Sequence, residues 1–117
     1  MNLHNLIDII KKEGGASYSL TYGNMAGRKG YAVSPYKDRE EKIPLNEFSI
    51  HGLQSFVAEN AEYFDRDGHF LGAWVENEIV YLDVSVFVAQ KTKALKWAKE
   101  NGQLAIYSFT EGKTIYL

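Results

Sequence analysis

The chain reads as a single α+β domain, residues 1–117, with a mostly antiparallel sheet of about five to six strands and about three helices. Three observations predict this. Residues 69–88, HFLGAWVENEIVYLDVSVFV, are two apolar runs joined at Glu76, Asn77 and Glu78, the pattern of a long β-hairpin. Its second run sets Val80, Leu82, Val84, Val86 and Val88 on one face and Ile79, Tyr81, Asp83, Ser85 and Phe87 on the other. The remaining strand candidates are also joined by short turns, which excludes the parallel sheet of a dinucleotide fold, and no G-x-G-x-x-G is present. Finally, 117 residues with 45% apolar and 24% charged content suit one buried core and no long linker.

Taken in order, Leu3, Leu6, Ile7 and Ile10 form an i, i+3, i+4, i+7 stripe, with Lys11 and Lys12 at the negative end of the helix dipole and Gly14–Gly15 as its stop. Residues 17–22 alternate so that Tyr18, Leu20 and Tyr22 share one face of a half-buried strand. Residues 23–30 read as a hairpin loop into a second short strand at residues 31–34, closed by Pro35. Residues 43–45 suit an edge strand because Pro44 has no N–H to give a ladder. Ser49 is placed to cap a second helix, with Phe48 and Leu53 as its staple and Ile50, Leu53, Val57, Ala61 and Phe64 along its inner face. After the central hairpin, residues 91–101 form a third helix ended by Gly102, and residues 103–109 and 114–117 form a last hairpin around Glu111–Gly112. A chain ending inside a strand reads as a complete domain.

Composition removes several chemistries. Without cysteine there is no disulfide framework, thiolate-ligated zinc or thiol nucleophile. His4, His51 and His69 fall in separate elements with no metal-ligand spacing, so neither a metal nor a cofactor is expected. No signal peptide opens the sequence and no apolar run reaches the roughly 20 residues a membrane span needs, which predicts a cytoplasmic protein that does not enter membranes. The net charge of −2 hides a segregation: residues 1–37 sum to +3, residues 38–83 to −8 and residues 84–117 to +3. That is too balanced for wholesale phosphate binding and predicts a mixed surface with one acidic face.

Four features are candidates for function. The glycine-rich stretch with Arg28 and Lys29 resembles an anion-cradling loop only in composition; it lacks the Ser or Thr of a Walker A motif and leads into a strand, so a turn is the favoured reading. Glu59, Glu62 and Asp65 crowd the end of the second helix, either as a solvated face or as an acidic docking face. Lys91, Lys93, Lys96 and Lys99, with Trp97 among them, form the most basic element, a solvated helix or a surface for phosphate and bases. Gly72 and Asp83 fit a plain strand poorly. Gly72 suggests a bulge or a close approach, and Asp83 suggests a carboxylate bonded to a hydroxyl, an amide or a lysine rather than a catalytic acid. Only a shared pocket would turn Asp83, His69 and Tyr81 into an enzyme site.

LGAWVENEIVYLDVSVFV followed by a short helix and GQLAIYSFTEGKTIYL resembles the carboxyl-terminal half of a group of small accessory proteins of bacteriophages and mobile elements, mostly of unassigned function. The likeness is strongest over residues 69–117; GYAVSPY and IPLNEF fit the pattern more loosely. It implies no catalytic residue. It implies a non-enzymatic protein that binds and inhibits a host protein or ribonucleoprotein, with a CRISPR–Cas or other defence effector as the leading expectation. Eight tyrosines and two tryptophans supply interface anchors, and an acidic surface is suited to imitating phosphate. The alternative is a small nucleic-acid-binding module using the lysine-rich helix; a homodimer through a sheet edge is compatible with either.

Overall fold

The computed structural model describes residues 3–117; Met1 and Asn2, with which the amino-terminal reading begins, lie outside them. The central hairpin forms as β5 (His69–Glu76) and β6 (Ile79–Val88), paired continuously from His69↔Val86 to Glu76↔Ile79. Its turn is two residues long, not three. Asn77 and Glu78 both take left-handed φ angles, 52° and 62°, as a type I′ turn requires for its twist to match that of the strands. The shorter turn moves the register by one residue and sets Gly72 directly opposite Asp83.

Before this hairpin come α1 (Leu3–Glu13), β1 (Gly15–Ser19), β2 (Gly23–Asn24), β3 (Tyr31–Val33), β4 (Glu41–Pro44), α2 (Ile50–Glu59) and α3 (Ala61–Phe64); after it come α4 (Lys91–Glu100), β7 (Ala105–Ser108) and β8 (Lys113–Tyr116). Among the described residues this is an α+β domain with an eight-stranded antiparallel curled sheet, ordered β2-β1-β5-β6-β3-β7-β8, with β4 also on β6. The edge strand expected at residues 43–45 forms as β4, two residues earlier at its start, and β2 is unexpected. β2 is a two-residue return on β1, while β4 and β3 occupy successive halves of the same side of β6. Between Val33↔Val86 and Glu41↔Leu82, eight steps of one segment pass four steps of β6. The surplus leaves the ladder at Ser34–Glu40, just where Asp83 and Ser85 lie.

The period-2 pattern divides the sheet cleanly. Leu71, Ala73, Val80, Leu82 and Val84 face α1 and α2, meeting Leu6, Ile10, Leu53 and Phe56 in the main core. Further along the same face, Val33 and Ile106 meet Ala94 and Ala98 of α4. α1 follows its expected stripe, with Leu6 and Ile10 buried, and Gly14 stops it at φ 82° by donating its N–H to the Ile10 carbonyl at 2.9 Å.

Several expectations are corrected. β1 ends at Ser19, not Tyr22, because the Ser19 hydroxyl accepts the N–H groups of Thr21 (3.2 Å) and Tyr22 (3.0 Å) and turns the chain. Tyr22 is consequently 73% exposed, and Leu20 is exposed too. Residues 23–30 are no hairpin loop between neighbours: β5 and β6 separate β1 from β3, and the segment crosses the sheet, burying Met25 against Ala32 and Phe70. The second helix starts at Ile50, but the Ser49 side chain makes no capping bond; its carbonyl accepts the Leu53 N–H instead. The same helix breaks at Asn60, whose side-chain amide donates to the Phe56 carbonyl at 2.9 Å, and Ala61 beyond it is exposed.

Candidate functional site

The face of β5 and β6 opposite the main core carries Gly72, Trp74, Tyr81, Asp83 and Ser85, and at one end Phe70, which Met25 of the crossing segment covers. Gly72 has no side chain to fill its place, and a Cβ there would overlap the Asp83 carboxylate and come within 3.1 Å of the Ser85 hydroxyl. No bulge is formed at Gly72, and the close approach expected from Trp74 or another backbone comes instead from the Asp83 and Ser85 side chains across the strand. Asp83 and Ser85 thus fold over the glycine as the floor of a groove of about 1210 Å³. The curl of the sheet raises one wall from Trp74 and the other from Tyr107, Thr114 and Tyr116. This volume exceeds the roughly 300–1,000 Å³ of common small-molecule pockets and suits an extended occupant.

The floor is a directed hydrogen-bond chain. Ser85 Oγ donates its one proton to Asp83 Oδ1 at 2.5 Å, so Ser34 Oγ must be the donor to Ser85 Oγ at 2.8 Å. Gln103 Nε2 donates to the Ser34 carbonyl, fixing the departure of β3 from the ladder, while Gln103 Oε1 is buried without a partner. Burial pushes the Asp83 carboxyl above its ordinary value of 3.8 and the charge of Glu40 pushes it further, while the Ser85 hydroxyl bonded to it and the Ser34 hydroxyl behind that one oppose the rise. Glu13, Glu40 and Glu76 also line the groove, against Lys37 as the only lysine or arginine of the lining. The field inside is therefore negative.

Trp74 and Tyr81 sit opposite each other and stack, with ring centroids 4.1 Å apart and planes 11° from parallel. On the far side of Tyr81, its strand partner Lys42 places Nζ 5.5 Å from the ring centroid. Tyr116 (78% exposed) and Leu104 (82% exposed) stand at the other rim, where the Leu117 N–H donates to the Leu104 carbonyl.

The expected surfaces are distributed differently. Lys91, Lys93, Lys96 and Lys99 are exposed on α4, which packs on the face opposite the groove, while Trp97 is half-buried against Val33, Ala98 and Ile106. Arg28 and Lys29 are exposed in the crossing segment, Arg28 lying 5.5 Å from the Tyr22 ring centroid. That segment enters β3 where Tyr31 faces Val88, three residues before α4 begins at Lys91. Glu59, Glu62 and Asp65 are exposed on and just after α2 and α3, outside the groove.

Asp83, His69 and Tyr81 do not converge. His69 Nδ1 donates to the Asp67 carbonyl at 2.9 Å, which leaves Nε2 to accept the Tyr36 hydroxyl at 2.8 Å. Arg39 and Arg66 pack on the Tyr63 ring beside Tyr36, at 4.8 and 4.6 Å, making this a separate aromatic cluster. Among the described residues no three His, Cys, Asp or Glu side chains stand together as a metal site, and no helix is long and apolar enough to cross a membrane. No protein-family model, curated protein or solved structure matches this chain.

Proposed function

We propose that this protein acts by binding, and that its concave sheet face receives a positively charged, partly apolar surface of a partner protein. The observation that carries the reading is the groove itself: Glu13, Glu40, Glu76 and Asp83 around aromatic walls, with one lysine among them. Aromatic side chains at the rim are suited to act as anchors, and an acidic concavity attracts a basic partner and orients its approach. Proteins that handle nucleic acid carry basic grooves. Together with the resemblance of residues 69–117 to phage accessory proteins, this directs the reading to inhibition of a host nucleic-acid-handling effector, a CRISPR–Cas or other defence nuclease first among them. Its acidic face would stand where phosphates otherwise lie.

A second reading, nucleic-acid binding, is favoured by one observation: four exposed lysines on α4. It is tested with Lys93→Glu/Lys96→Glu alone, because Trp97 belongs to the core under α4 and its loss would damage the fold.

Tagged protein is used to capture partners from host lysate with and without nuclease, beside the groove variant Glu40→Lys/Glu76→Lys and the helix variant. The groove reading expects one stoichiometric basic protein that survives nuclease, persists with the helix variant and is lost with the groove variant. Capture that depends on nucleic acid and on Lys93 and Lys96 would replace it with the second reading.

A further inference from the structure

On the groove face, strand register draws one straight row across four strands: Lys42 opposite Tyr81, Tyr81 opposite Trp74, and Trp74 opposite Gly15. The first three members are a ladder, an ammonium against a phenol ring and the phenol ring against an indole. The fourth position is empty of side chain. The adjacent backbone keeps glycine there, since a Cβ on Gly15 would lie 2.9 Å from the Ala73 carbonyl oxygen, so no side chain from this position covers the indole. One indole face is covered by Tyr81; the other turns toward the glycine and into the groove, and Trp74 remains 39% exposed. Glu13, two residues before Gly15, and Glu76, two residues after Trp74, line the groove beside this gap.

Resting on the groove reading, we propose that the gap over Gly15 is a slot for the guanidinium of an arginine presented by the partner protein. A flat cation entering there meets the free indole face and two carboxylates, extending the row with the charge it holds at its other end. The chemistry selects arginine over lysine. A guanidinium is planar and weakly hydrated, so it stacks on an indole and gives N–H groups edgewise to carboxylates. A lysine ammonium is a compact, strongly hydrated charge that gains the carboxylates but not the stack.

The test uses the full chain with capped hexa-arginine and hexa-lysine peptides, by calorimetry and by the NMR cross-peak of the Trp74 indole N–H, identified by its loss in Trp74→Leu. Hexa-arginine is expected to bind about tenfold more tightly than hexa-lysine and to move the Trp74 cross-peak; Trp74→Leu is expected to bring the two affinities together. Glu13→Gln/Glu76→Gln is expected to weaken both peptides. Equal affinities in the native chain, or an arginine preference that survives in Trp74→Leu, would overturn the slot while leaving the groove as a binding face. If neither peptide binds, or if Glu40→Lys/Glu76→Lys leaves both affinities unchanged, the groove reading fails together with the slot.

Discussion

The two faces of β5 and β6 alternate along the same eighteen residues and obey opposite rules. On the covered face Leu71, Ala73, Val80, Leu82 and Val84 are buried against helices, and each position asks only for an apolar group of the right volume. On the groove face Gly72, Trp74, Tyr81, Asp83 and Ser85 are each of a different kind, and each is explained by a particular neighbour. One face keeps the domain folded; the other holds its polar and aromatic chemistry in place. The strict alternation of the strand lets one sequence do both.

The sharpest way to test this division is to damage each face in turn. Leu82→Ala on the covered face should cost about 2–5 kcal/mol of unfolding free energy in urea titrations, as a fully buried aliphatic side chain with no room to collapse. Gly72→Ala on the groove face should cost about 1–3 kcal/mol, because its Cβ displaces Asp83 from the floor. That cost should shrink when Asp83→Ala is added, a coupling that a double-mutant cycle reads directly. If Gly72→Ala is equally damaging in both backgrounds, the carboxylate is not what the glycine accommodates.

Asp83 itself gives a pH-dependent version of the comparison. Its folded pKa is raised, so between the ordinary 3.8 and that raised value the folded state holds a proton the unfolded chain has lost. Stability contributed by this group therefore falls as pH rises through that window. Asp83→Asn, which keeps an acceptor for Ser85, should match the parent below pH 3.8 and exceed it at neutral pH in paired denaturation curves. A variant less stable than the parent at neutral pH would show that the floor needs the ionised carboxylate. The smallest effect belongs to the turn joining the faces: Glu78→Gly at φ 62° should raise stability by about 0.4–1 kcal/mol, since only glycine takes that angle freely.

How much of this was legible in the sequence depended on whether a feature is local. The alternation of residues 79–88 showed which residues share a face, and the α1 stripe with its glycine stop showed a helix and its end. The hairpin turn was harder because Asn77–Glu78 lacks the glycine that usually marks a type I′ turn, and one residue of register decides whether Gly72 meets Asp83. Those two residues were each visible as misfits; their pairing was the signal that would have found the groove. The remainder was hidden because it is non-local. Glu13, Glu40, Glu76 and Asp83 come from different parts of the chain, and the ladder break at Ser34–Glu40 follows from how β3 and β4 share β6. The acidic run ending α2 is the more conspicuous feature of the sequence, although its side chains face away into solvent.

The shared strand has a mechanical consequence. β5 is joined to β6 through eight residue pairs, whereas the lobe of β3, β7 and β8 reaches β6 through only the three pairs of Tyr31, Ala32 and Val33. The sheet therefore has a stiff half and a lightly stitched half, and the seam runs beside the floor of the groove. One wall, with Tyr107 and Tyr116, stands on the lightly stitched side; the other, with Trp74, stands on the stiff side. In hydrogen exchange the β7–β8 amides should open before those of β5 and β6. Earlier opening of β7–β8 would make the width of the groove depend on those three ladder pairs and on the packing of Phe109 against Phe70 and Phe87.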